Sequence, residues 1–208
     1  MIKLAIFDMD GTVFDSHLDW LKIREELDIP PGGNILAEIY RDNSVDKKRL
    51  ETLEKYEKEN TFKARPINGI AAFLLYLKQR TIDTALLTNN NRGNTSFLLS
   101  KYNLDFDLVV TRETGLWKPE PGAFFFAMEK CGCQSEEAVS IGDSHYDVLA
   151  SHRAKVSNIF LIETSRTVIL QQENPGIILF RDYVELKGIL EESGEGFLAC
   201  GTGRLSTK

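Results

Sequence analysis

Ile2-Lys3-Leu4-Ala5-Ile6-Phe7-Asp8-Met9-Asp10-Gly11-Thr12 is a short apolar run stopped by acidic residues and a glycine. A run of this length, Ile2 to Phe7, suits a strand buried on both faces, as in a parallel sheet. Outward from it, beyond Pro66, helix and strand patterns alternate. Helices are expected over Ile70–Arg80, Gly93–Tyr102, Pro121–Cys131, Tyr146–Ala154 and Tyr183–Glu191. Strands are expected over Ile82–Leu87, Leu108–Val110, Ala138–Ile141, Asn158–Leu161 and Gly176–Phe180. This alternation predicts an α/β fold of Rossmann-like kind, a parallel sheet with helices on both faces.

Residues 16–65 have a different texture. Leu18, Leu21 and Leu27 recur at near-helical spacing before Pro30-Pro31-Gly32-Gly33 breaks the chain. Ile35, Leu36 and Ile39 suggest a second helix, and Leu50, Leu53 and Tyr56 the apolar stripe of a third over Val45–Asn60. In that third helix Lys47–Glu51, Glu51–Lys55 and Glu54–Lys58 stand four apart, so Lys47-Lys48-Arg49 reads as solvated helix surface. The expected organisation is an α/β core over 1–15 and 66–192, a small all-α insert over 16–65, and a mobile tail over 193–208. Sites in open α/β sheets form beyond the carboxyl ends of the strands, where an insert leaving that edge would sit as a lid.

Composition narrows the class. A chain of 208 residues buries roughly 70% of its unfolded surface and needs no staples to fold. Net charge is −6, which disfavours general attraction to nucleic acid or anionic membrane. An anionic substrate then needs a local positive centre, a metal ion or one placed lysine. Cys131, Cys133 and Cys200 lack the partner ligands of a metal site and read as free thiols in a reducing, cytoplasmic setting. The N-terminus lacks the pattern of a signal peptide, and no stretch approaches ~20 apolar residues.

Asp8 and Asp10 close the first strand, with Gly11 allowing a tight turn before Thr12. Two adjacent carboxylates both ionised in a closed site call for a cation, and a hard one such as Mg²⁺ suits oxygen ligands. Alone, the pentapeptide also fits a turn or a helix cap. Three further signals follow at strand ends: Thr88-Asn89, Lys118-Pro119, and Gly142-Asp143-Ser144 with Asp147. Together they bring carboxylates, a hydroxyl, an amide and an ammonium to one sheet edge.

This ordered set, DMDGT at 8–12, TN at 88–89, KP at 118–119 and GDSHYD at 142–147, resembles the haloacid dehalogenase-like hydrolase superfamily. The resemblance implies that Asp8 is a nucleophile forming an aspartyl-phosphate, and that Asp10 is the general acid and base. It implies that Thr88 and Lys118 engage the transferring phosphoryl group, with Gly11, Thr12 and Asn89 around the phosphate. Mg²⁺ would be held by Asp8, the backbone carbonyl of Asp10, and Asp143, with Asp147 in support. Asp10 argues against a dehalogenase, which has no leaving alcohol to protonate. The insert resembles the family's helical cap, which implies a small phosphate ester as substrate, phosphoglycolate or a sugar phosphate. A phosphomutase and a non-catalytic binding protein remain the alternatives. Ala154-Lys155 departs from the family's frequent Ala-Gly pair. His17, His145 and Arg92 lie near the motifs, and Phe124-Phe125-Phe126 and Trp117 read as core packing rather than pocket.

Overall fold

The computed structural model describes residues 1–42 and 44–192. The expected tail over 193–208, with Cys200, lies outside the described residues. In chain order the first elements are β1 (Leu4–Phe7), β2 (Phe14–Asp15), α1 (Trp20–Glu26), α2 (Ile35–Ile39), α3 (Lys47–Thr61) and β3 (Arg65–Pro66). Next come α4 (Ile70–Gln79), β4 (Asp83–Leu87), α5 (Arg92–Tyr102), β5 (Leu108–Val110) and α6 (Gly122–Cys131). Then follow β6 (Ala138–Gly142), α7 (His145–Arg153), β7 (Asn158–Ile162), α8 (Ser165–Glu173), β8 (Ile178–Phe180) and α9 (Tyr183–Glu192).

Six strands form one parallel sheet in the order β5-β4-β1-β6-β7-β8. β1 sits inside it, with Phe7 in register with Leu86 of β4 and Ile141 of β6. Alternation along β1 sends its side chains to opposite faces. Ala5 and Phe7 join the core packed by α4 and α9, with Phe73, Leu77 and Leu186. Leu4 and Ile6 join the core packed by α6 and α7, with Phe124, Ala127 and Ala150. A strand sandwiched between helices has no solvent face, so its sequence reads as a continuous apolar run.

The chain leaves and re-enters this layer through a two-stranded antiparallel ribbon in which Phe14 pairs Pro66 and Asp15 pairs Arg65. Between those strands, α1, α2 and α3 gather a separate core of Ile23, Leu27, Ile35, Leu36, Ile39 and Leu53. One expectation is corrected here: Leu21 is 60% exposed, outside the stripe assigned to it. α1 starts only at Trp20, so Ile23 and Leu27, four apart, face inward and Leu21 turns out. Among the described residues none of the three pairs spaced four apart on α3 forms an ion pair; Glu54, half exposed, approaches Arg112 at 3.9 Å.

α8 was not anticipated. Thr164 caps it by accepting from the Thr167 backbone at 3.1 Å, while the Thr167 hydroxyl accepts from the Thr164 backbone. Trp117 packs on Tyr40 at 4.6 Å and Phe124 is buried, as core packing predicts; Phe125 is half exposed. Cys131 and Cys133 are free thiols. Among the described residues no helix is long and apolar enough to cross a membrane.

Candidate active site

A cavity of about 620 Å³ opens at the carboxyl ends of the central strands. Asp8, Asp10, Thr88, Asn89, Lys118 and Asp143 lie on its wall. Asp8 ends β1, its backbone N–H donating to Ile141 at 2.9 Å, so sheet register fixes the position of its carboxylate. Gly11 is required by close approach: its φ is +86°, and a Cβ there would meet Asp143 Oδ2 at 2.2 Å. Gly11 and Thr12 are not on the cavity wall. Thr12 is buried, and its carbonyl accepts from the Tyr183 hydroxyl at 3.1 Å.

Lys118 Nζ lies 2.5 Å from Asp8 Oδ1 and 2.7 Å from Asp147 Oδ1, with all three side chains nearly buried. Asn89 holds that lysine by its backbone: Nδ2 donates to the Lys118 carbonyl and Oδ1 accepts from its N–H, both at 2.9 Å. Asp147 Oδ2 accepts from the Asp143 N–H, the Ser144 N–H and the Ser144 hydroxyl at 3.2, 3.1 and 2.7 Å. Asp147 thus caps α7 and anchors Lys118. Asp10 Oδ2 accepts from Asn90 Nδ2 at 2.9 Å, and the Thr88 hydroxyl accepts from the Asn90 N–H at 3.0 Å.

Burial dominates the electrostatics. It pushes the Asp8 carboxyl up to about 7, against the pull of Lys118, with Asp147 and Asp10 adding to the rise. Asp143 is raised well above its ordinary value by burial and by the charges of Asp8 and Asp147. Asp10 is raised by burial and partly restored by hydrogen bonds from Asn90 and Ser16. Burial opposes the charge on Lys118, yet Asp147 and Asp8 lift it above the usual lysine value. One ammonium therefore faces four carboxylates, an excess of negative charge that a cation would relieve. Ligand oxygens of Asp8, Asp143 and Asp147 lie within 4.8 Å of one another, an all-oxygen set that fits a hard divalent ion.

Sequence reading did not anticipate what the helical insert contributes. Glu57 of α3 is 2% exposed and pairs closely with Arg112 Nη2, itself 3% exposed. Arg112 Nε donates to the Asn89 carbonyl at 3.0 Å, so this pair ties the insert to the loop that holds Lys118. Burial pushes the Glu57 carboxyl up to about 8, more than Arg112 draws it down. A carboxyl raised in the folded state binds its proton there and loses it when unfolded. Stability from this group therefore falls as pH climbs from 4.5, its ordinary value, to about 8. Glu57→Gln is expected to flatten that decline by at least ~2 kcal/mol between pH 5 and 8, measured by urea denaturation.

His145, Arg24 and Arg166 also line the cavity. Arg92 does not; its backbone N–H is capped by Glu113. His17 is exposed, 2.8 Å from Asp15, and lies off the wall.

Comparison with known proteins agrees with this geometry. The family model described as haloacid dehalogenase-like hydrolase matches residues 5–161. A Caldanaerobacter subterraneus subsp. tengcongensis protein provisionally named pyrophosphatase PpaX is 32% identical over 178 residues, covering 76% of this chain and 80% of its own. A phosphoglycolate phosphatase from Aquifex aeolicus is 30% identical over 176 residues, covering 74% and 81%. The crystal structure of a hydrolase from Pseudomonas syringae superposes with a TM-score of 0.71 at 24% identity, over 91% of this chain and 98% of that one. With the matched residues spanning β1 to β7 and carrying every acidic group at the sheet edge, the chain belongs to the haloacid dehalogenase-like hydrolase family.

Proposed function

We propose that this protein is a Mg²⁺-dependent phosphatase that hydrolyses a small-molecule phosphomonoester through a phosphorylated Asp8. The observation that carries the reading is the floor of the cavity, where Asp8 touches Lys118 Nζ at 2.5 Å beside a second, half-buried carboxyl on Asp10. The residues 1–15 and 66–192 would form the catalytic core, and 16–65 a cap over it. Relatives named for phosphate chemistry support the same reaction class.

In the first step an Asp8 oxygen attacks phosphorus. The ester P–O bond breaks, its electron pair leaves with the alcohol oxygen, and that oxygen takes the proton of Asp10. A carboxyl raised by burial holds such a proton closer to neutral pH, as a general acid needs. In the second step Asp10 removes a proton from water, the water oxygen attacks phosphorus, and the bond to Asp8 breaks to release phosphate. Lys118 places positive charge on the phosphoryl oxygens, and the Thr88 hydroxyl is free to donate to them. Asp8, the Asp10 carbonyl and Asp143 would hold the metal, with Asp147 behind them. Mg²⁺, when bound, supplies the positive charge that lets carboxylate and phosphate approach each other ionised.

The test is phosphate release from p-nitrophenyl phosphate and a panel of small esters, with Mg²⁺ and with chelator. Sustained, Mg²⁺-dependent release is the expected result. Isomerised sugar phosphate without release would identify a mutase, and neither outcome would leave a binding protein.

A further inference from the structure

Beyond its acidic floor, the cavity wall carries apolar side chains from two elements, Trp20, Ile35, Leu36 and Leu53 of the insert and Ile169 and Leu170 of α8, beside polar ones such as Asn34 and Tyr146. Cavities of ~300–1,000 Å³ enclose molecules of drug size. At about 620 Å³ this one has room for a leaving group of that size beside the acidic floor. Burying apolar wall against a leaving group favours a bulky apolar body over a short polar one.

The cations on the wall differ in how they are engaged. Lys118 is paired with Asp8 and Asp147, and Arg112 with Glu57. Arg166 is exposed at the start of α8, and no hydrogen bond fixes its side chain among the described residues. Arg24 is half-buried and held in place by two backbone carbonyls: Nε donates to Gly33 and Nη1 to Trp20, both at 3.1 Å. The Gly33 carbonyl also accepts from the Tyr146 hydroxyl of α7 at 3.3 Å, which sets Arg24 at the seam between insert and core. Among the described residues no carboxylate pairs with Arg24. Its Nη2 makes no hydrogen bond there. A guanidinium oriented by its backbone contacts, with donors to spare and no counter-charge, is built to receive an anion.

We infer that the ester cleaved at Asp8 has a bulky, largely apolar leaving group bearing a second anionic group, and that Arg24 receives that group. The inference rests on the phosphatase reading above and names the substrate class for the same cavity.

Four esters test it: phosphoglycolate, phenyl phosphate, 4-(carboxymethyl)phenyl phosphate and 4-(phosphonomethyl)phenyl phosphate. At least one anionic aryl ester is expected to exceed both phenyl phosphate and phosphoglycolate in kcat/KM by about tenfold or more, mainly through KM. That is the size of one charge-assisted hydrogen bond. Whichever is preferred identifies the group as carboxylate or phosphate-like. Arg24→Gln should bring the ratio of anionic to neutral aryl ester close to one, and Arg24→Lys should restore part of it. Ratios taken within one variant cancel any loss of folded protein. A wild-type ratio near one, a ratio untouched by Arg24→Gln, or a preference for phosphoglycolate would overturn the inference. Should no ester release phosphate, the phosphatase reading itself falls. Calorimetric affinities of the same esters then decide: an Arg24-dependent tenfold preference upholds the anion site, and equal affinities sink it.

Discussion

Asp8→Asn is expected to lower kcat on p-nitrophenyl phosphate by about 10³-fold or more while the protein stays folded. The amide keeps the shape of the side chain but has no anionic oxygen with which to attack phosphorus. Folding should survive because burial already disfavours charge at this position, which is why the carboxyl rises to about 7. The amide also removes one of the charges that raise Asp143. Lys118 loses one carboxylate partner and keeps Asp147 at 2.7 Å. Thermal denaturation beside the kinetics separates the two effects. Full activity in a folded Asp8→Asn protein would show that another group is the nucleophile.

Asp10→Asn should lower kcat on alkyl phosphates by about 10²–10⁴-fold, the usual range for losing a general acid or base. Its effect is expected to divide by leaving group. A nitrophenolate leaves without help from a proton, so its first step survives, whereas an alkoxide does not leave. Hydrolysis of phosphorylated Asp8 needs the same residue as a base, so that step slows for every substrate. The variant should therefore give a burst of nitrophenolate, followed by slow turnover, with a phosphoryl adduct in the intact mass after acid quench. Alkyl esters should show neither burst nor adduct. Equal losses on both ester types without an adduct would remove Asp10 from the role of proton carrier.

Both residues were legible because they end an apolar run and open the first of four motifs that fall in order at strand ends. Four unbroken apolar residues, Leu4–Phe7, leave no solvent face, and the acids that follow them lie at a sheet edge. The parallel sheet followed from the same logic, since each apolar run as far as Asn158–Leu161 was separated from the one before it by a helix pattern. α8 was missed because Thr167-Val168-Ile169-Leu170 lacks a helical stripe; only Thr167 of the four is buried, and Ile169 is 57% exposed. Topology carried the information instead. β7 and β8 are parallel neighbours, and parallel neighbours require a crossover.

The Glu57–Arg112 pair joins residues 55 apart through tertiary packing, and no local pattern announces it. Arg24 reads in sequence as one more charge on a helix; only the carbonyls of Trp20 and Gly33 distinguish it. Asn89 was placed beside the phosphate because it follows Thr88. Its side chain is committed to the Lys118 backbone, a contact that depends on two loops meeting beyond the strand ends.

The ribbon of Phe14–Asp15 and Arg65–Pro66 is only two residue pairs long, yet it carries all of α1, α2 and α3. A segment attached by so short a ladder can lengthen, shorten or be exchanged without shifting the register of the six-stranded sheet. Gly11 has no such freedom, since even a methyl group there would collide with Asp143. Changes in specificity are therefore cheapest in the helices between the ribbon strands, and a library aimed at new substrates should randomise the wall residues Trp20, Arg24 and Asn34 while leaving the insert's core and the sheet edge untouched.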